Sequence, residues 1–157
     1  MVTGGQVEEN MRIYFDLCAL NRTFDDQQQA RVRLEAEAVL MVLDQVQAGN
    51  HEMLGSDVLD FENGKNPDEE RRNDVENLLS MAESHVTLSR AVAQRARLLE
   101  DMGFAAYDAL HVASAEAGAA DVLLTTDDGM IRLAGKLRQE LKVRVINPVT
   151  WVEEGAA

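Results

Sequence analysis

Four acidic residues stand where folding can gather them: Asp16, Glu62, Asp108 and Asp127. Asp16 lies near the C-terminal end of the apolar, β-prone run Ile13 to Leu17, and Asp127 comes just after a second such run, Val122 to Thr125. Asp108 opens an alanine-rich stretch in which His111, Val112 and Ala115 follow three, four and seven residues later, the spacing of one inward helix face. Among Asp57, Asp60 and Glu62, only Glu62 shares a helix side with Val58 and Leu59, so it is the acid expected to face the core. Neighbouring carboxylates cannot all stay ionised unless protons or a bound cation cancel their repulsion. An all-oxygen set, without thiolates or paired histidines, suits Mg²⁺ or Mn²⁺ rather than zinc.

Taken singly, each acid has a plainer role. A strand-end aspartate commonly caps a helix, and an acid in a first turn is favoured by the helix dipole. The ordered set of four favours a site. Cys18 reads as a small buried hydrophobe and His111 as a packed or hydrogen-bonded histidine near the acids.

The elements that must position these residues alternate along the chain. After Ile13 to Leu17 and a loop over Asn21 to Asp26, residues Gln29 to Val46 place Val32, Ala36, Val39, Leu40 and Leu43 at helical spacing, closed by Gly49. A short apolar segment at Met53 and Leu54 leads to Ser56, a helix cap for Val58 to Glu62. Asn66, Pro67 and Glu69 predict the next helix start, with Leu78, Leu79 and Met81 on its apolar side. His85 to Leu88 reads as a strand, Ser89 as the cap of a helix ending at Gly103, and Tyr107 to Ala117 as a helix stopped by Gly118. Asp128 is expected to cap a helix to about Leu141, and Val143 to Ile146 forms the last strand before Pro148. Such alternation predicts an α/β fold: a single-domain parallel-sheet sandwich with helices on both faces of about five strands. Ligands of such sheets bind beyond the carboxyl ends of the strands, where Asp16 and Asp127 fall.

Residues 1 to 10 read as a flexible leader, with Met11 a candidate start, 11 to 152 as the domain and 153 to 157 as a tail. Fifteen Lys and Arg against twenty-eight Asp and Glu leave a net charge of -13, so bulk attraction of nucleic acid is excluded and any such contact must be local. Aromatic residues are 4% of the chain, so a base-stacking platform is not expected. The single Cys18 excludes an internal disulfide. The longest apolar run, Ala38 to Leu43, is too short to span a bilayer, and no secretory signal is legible, so a soluble, cytoplasmic protein without membrane contact is expected.

The segments "IYFDLCALNR", "SDVLDFE", "AYDALHVASAEA" and "VLLTTDDGMI", followed by "VRVINP", resemble the PIN domain, the metal-dependent ribonuclease fold of many VapC-type toxins. The resemblance spans about Met11 to Trp151. It implies hydrolysis of RNA phosphodiester bonds by one or two Mg²⁺ or Mn²⁺ ions, an antitoxin protein as partner, and homodimers, for which the Gln29 to Val46 helix offers an apolar face. By motif, Asp16, Asp108 and Asp127 are metal ligands, and Glu62 is a ligand through water or a general base. Thr125, Asp128 and His111 support the site, with Asp128 an alternative to Asp127. Where the family often carries Ser or Thr two residues after its first aspartate this chain has Cys18, and Asn21 and Arg22 are the expected substitutes. For the RNA substrate, Asn21, Arg22, Arg71 and Arg72 are the binding candidates, with Arg132, Lys136 and Arg138 downstream.

Two other functions compete. A PIN-like regulatory module with decayed chemistry would bind RNA or protein without metal. A haloacid-type phosphatase needs a second acid two residues after the first, where Cys18 stands.

Overall fold

In a computed structural model, residues 10–155 are described, and the predicted leader therefore lies almost wholly outside them. Five parallel strands form one sheet: β1 (Arg12–Phe15), β2 (Glu52–Ser56), β3 (Ser84–Val86), β4 (Val122–Leu124) and β5 (Arg144–Ile146). Their spatial order is β3-β2-β1-β4-β5, so the chain winds outward from β1 to one edge and then to the other. The strand order reverses between β1 and β4, the place where open α/β sheets bind ligands.

Burial explains the sequence of the central strands. Ile13, Tyr14 and Phe15 of β1 and Leu123 and Leu124 of β4 have no exposed surface, as uninterrupted apolar runs require when helices cover both faces. Each such side chain contributes about 1.5–3 kcal/mol of burial free energy.

Eight α-helices follow the strands among the described residues: α1 (Leu17–Asn21), α2 (Ala30–Gln47), α3 (Asp57–Gly64), α4 (Glu69–Leu79), α5 (Arg90–Asp101), α6 (Ala106–Ala117), α7 (Asp128–Lys136) and α8 (Pro148–Glu153). Ser56 and Ser89 cap α3 and α5 as expected, accepting from the amides of Leu59 and Val92. α6 ends at Gly118, where any Cβ would meet Leu54 and Val86 side chains within 2.5–2.7 Å. Among the described residues, no helix is long and apolar enough to cross a membrane.

Several boundaries differ from the sequence reading. Leu17 leaves the first strand because Asp16 caps α1, and Arg22–Phe24 coils into a 3₁₀ turn where a loop was expected. The α4 cap is Asp68, which accepts from Arg71 N–H, while Asn66 forms a turn on the Asp68 amide that leaves Pro67 outside the helix. Asp127 rather than Asp128 caps α7, which ends at Lys136 instead of Leu141; a 3₁₀ turn at Arg138–Glu140 follows. Pro148 opens α8, held by Trp151 packed beside His51 with ring centroids 5.8 Å apart. On α2, Leu40 faces solvent with Leu34 and Met41, leaving Val32, Ala36, Val39, Val42 and Leu43 to cover the sheet.

Candidate metal centre

Asp16 ends β1 and caps α1, and its place is tied to β4 by a hydrogen bond that its backbone N–H donates to the Leu124 carbonyl at 2.9 Å. Its Oδ1 accepts from Leu17 N–H at 2.8 Å, and its Oδ2 accepts from the Thr125 hydroxyl at 2.7 Å and the Cys18 thiol at 3.3 Å. Thr125 also accepts from Asp127 N–H at 3.2 Å, so one hydroxyl joins the two strand ends. Asp127 is exposed and uses Oδ1 on Met130 N–H at 3.1 Å.

Glu62 reaches the same edge from α3. Its Oε1 accepts from His111 Nε2 at 2.7 Å, and that nitrogen lies 3.8 Å from Asp16 Oδ1. A carboxylate only accepts, so the geometry assigns the proton to Nε2. The other ring nitrogen bonds the Tyr14 hydroxyl at 2.7 Å, which bonds Ser56 at 2.8 Å. Ligand atoms of Asp16, Glu62 and His111 all lie within 4.8 Å of one another.

Asp108, in the first turn of α6, and Asp127, at the start of α7, are not among the residues whose ligand atoms meet within 4.8 Å; Asp108 bears on that group through its charge. Burial pushes its carboxyl up to about 6, and the charges of Asp16, Asp127 and Glu62 push the same way while His111 opposes them. The four acids therefore share one electrostatic neighbourhood. Burial works against protonation of His111, but the Glu62 hydrogen bond and the Asp16, Glu62 and Asp108 charges outweigh it and raise its pKa. Burial and the Asp16 charge hold the Cys18 thiol at about 12, so it stays protonated and serves as a donor rather than a nucleophile. The expectation of a small buried hydrophobe at Cys18 is corrected: the residue is only partly buried and makes these polar contacts.

The cationic residues lie differently. Arg22 donates to Glu35 at 2.7 Å and Asp25 at 3.0 Å; Arg71 donates to Asn21 at 3.1 Å, Asp25 at 3.0 Å and the Phe24 carbonyl at 2.9 Å; Arg72 donates to the Asn66 carbonyl at 2.7 Å. Asn21 donates to the Leu17 carbonyl, so Thr125, and neither Asn21 nor Arg22, gives Asp16 its hydroxyl-type contact. Asp128 turns to Arg31 in a two-pronged pair at 2.8 Å, which holds its carboxyl below the usual range.

Sequence reasoning passed over Glu35, Tyr14 and Ser56. Glu35 is buried under Arg22, Arg31 and Asn147, and its spacing from Val32 and Val39 placed it within the apolar stripe. A second group, Asp57, Asp60 and His85, sits on the outer face of α3 with His85 Nε2 2.7 Å from Asp57.

No family model matches this chain, and no curated protein matches it in sequence. Among solved structures it is similar to a chain of VapBC2 from Rickettsia felis, a complex bound to a DNA fragment from its promoter, with TM-score 0.58, 16% identity, and coverage of 87% of this chain and 98% of that one. With strand order 3-2-1-4-5 and acids at the reversal point, the chain has a PIN-like α/β fold.

Proposed function

We propose that this protein is an Mg²⁺- or Mn²⁺-dependent endoribonuclease, the toxin of a toxin–antitoxin pair. The observation that carries the reading is geometric: Asp16, Glu62 and His111, from three separate segments, bring ligand atoms within 4.8 Å of one another at one sheet edge, and burial with the nearby acidic charges raises the Asp108 carboxyl beside them. The oxygen donors of the acids fit a hard divalent ion. Asp16, Asp108 and Asp127 would hold it. A bound ion supplies positive charge for the phosphate and acidifies the attacking water.

The chain's own groups do the rest. Thr125 fixes the Asp16 carboxylate, and its hydroxyl takes the place of the Ser or Thr that Cys18 replaces, which favours an intact site over a decayed one. His111 holds one oxygen of Glu62, leaving the other to take a proton from the attacking water. Tyr14 and Ser56 fix the ring of His111 from behind. The partner is proposed by likeness to VapBC2. Arg138 borders a cavity with Asp121 and Arg144 at the amino ends of the strands, so it is not proposed to hold RNA at the acids.

Purified protein is expected to cut single-stranded RNA with Mn²⁺ or Mg²⁺ and to stop in EDTA. Asp108→Asn should lower the rate roughly a hundredfold or more, the loss of several kcal/mol of charge stabilisation. Full cleavage by Asp108→Asn overturns the reading.

A further inference from the structure

Beside the acids lies a group the proposed chemistry does not use. Phe61 is 63% exposed, an uncommon position for a phenyl ring, and directly precedes Glu62 on α3. The Lys65 ammonium lies 4.8 Å from the Phe61 ring centre and 5.4 Å from that of Tyr107. Tyr107 directly precedes Asp108 and stacks on His111, centroids 6.3 Å apart and planes 28° from parallel. The sequence Phe61, Lys65, Tyr107, His111, Glu62 is thus one continuous run of contacts from solvent to the acid cluster. Unlike Arg22, Arg31 and Arg71, Lys65 has no carboxylate partner among the described residues.

We infer that Phe61, Tyr107 and Lys65 form a nucleobase subsite for single-stranded RNA, with a base stacked on the exposed Phe61 ring beside the half-buried Tyr107 ring and Lys65 paired to an adjoining phosphate. The inference rests on the ribonuclease reading for the identity of its substrate. Ring faces accept any base, so the subsite adds affinity without sequence choice. The ammonium supplies positive charge where a net charge of -13 otherwise repels a polyanion. A nucleotide offers the matching pair, a π-face and an anion, within one residue. A peptide bringing cations to the acids would meet repulsion from Lys65. The low aromatic content argued against an extended platform, but two rings placed next to two of the acids suffice for one base.

The test is fluorescence anisotropy with a fluorescein-labelled RNA single strand of about eight nucleotides, in Mg²⁺, on an Asp108→Asn background that holds RNA uncut. Adding Phe61→Leu or Tyr107→Leu should weaken binding about tenfold, while Phe61→Trp should preserve it. Lys65→Met should weaken binding less and lower the salt dependence by about one phosphate contact. In the otherwise wild-type protein the same ring changes should raise KM and leave kcat within about twofold, as loss of uniform binding requires. Unchanged RNA affinity in both leucine variants overturns the subsite and leaves the rings to a protein partner. Ring-dependent binding without cleavage upholds the subsite while the nuclease reading fails, and cleavage without ring dependence does the reverse.

Discussion

Glu35 and Asp16 are both buried carboxylates, at 1% and 6% exposure, yet their surroundings are opposite. Glu35 accepts from Arg22 at 2.7 Å, Arg31 at 3.0 Å and Asn147 at 2.7 Å, so its charge is cancelled by the chain itself. Asp16 receives only neutral donors, an amide, a hydroxyl and a thiol, and its charged neighbours are mainly other acids. Breaking a buried pair is costly because it strands a charge, so the first arrangement joins the strand-end turn, α2 and the start of α8. The second lacks such a pairing, which is what the proposed cation would supply. The exposed Asp57, Asp60 and His85 group supplies a third case, because water screens it: the His85 hydrogen bond merely lowers the Asp57 carboxyl.

The largest expected effect is on metal binding. At about a hundredfold excess over Kd, Mn²⁺ should stabilise the fold by ~2.7 kcal/mol, a rise in Tm of roughly 5 °C or more in thermal unfolding. Asp16→Asn should abolish that rise; persistence of the full shift would remove Asp16 from the site.

Glu35→Gln should behave in the opposite way, costing about 2 kcal/mol in urea unfolding, below the range for fully buried pairs because both arginines reach solvent. Its Mn²⁺ response should remain. Loss of that response would join the two regions into one functional unit.

Asp108→Asn sharpens the contrast through its sign. The folded carboxyl is raised to about 6, so the folded state binds its proton more readily than the unfolded chain, and without metal its contribution to stability falls as pH rises from about 4 to about 6. In EDTA at pH 7 the variant should therefore be more stable, by around 1 kcal/mol once solvent screening of this half-buried group is allowed for. The difference should vanish below about pH 4. A destabilised Asp108→Asn in EDTA would mean that neither burial nor the neighbouring acids disfavour the ionised Asp108 carboxyl.

The smallest effect is reserved for His85→Ala. Its urea midpoint and its Mn²⁺ response should both match wild type, and a lost metal response would move the centre to the outer face of α3.

Much of this was legible in the residues. The apolar runs marked β1 and β4 because a strand covered on both faces has no polar side, and the helical spacing of Val58, Leu59 and Glu62 separated Glu62 from Asp57 and Asp60. Helix starts were less legible. Asn66 and Asp68 are both good caps, as are Asp127 and Asp128, and the choice between neighbours depends on which side chain meets a free amide. Arg22, Arg71 and Asp128 were read as site residues from their order along the chain. Apart from the i,i+3 pair of Arg22 with Asp25, their partners, Glu35 for Arg22, Asn21 and Asp25 for Arg71, and Arg31 for Asp128, come from other segments, so no local pattern reveals them.

By itself, then, the sequence determined the period of each element and the parallel architecture, because hydrophobic periodicity and capping are local properties of neighbouring residues. The tertiary structure alone decided which charges are cancelled. Coulomb interaction acts through space and strengthens as water is excluded, and only the folded chain shows that Glu35 lies between arginines while Asp16 and Glu62 meet at His111 with Asp108 under their charge.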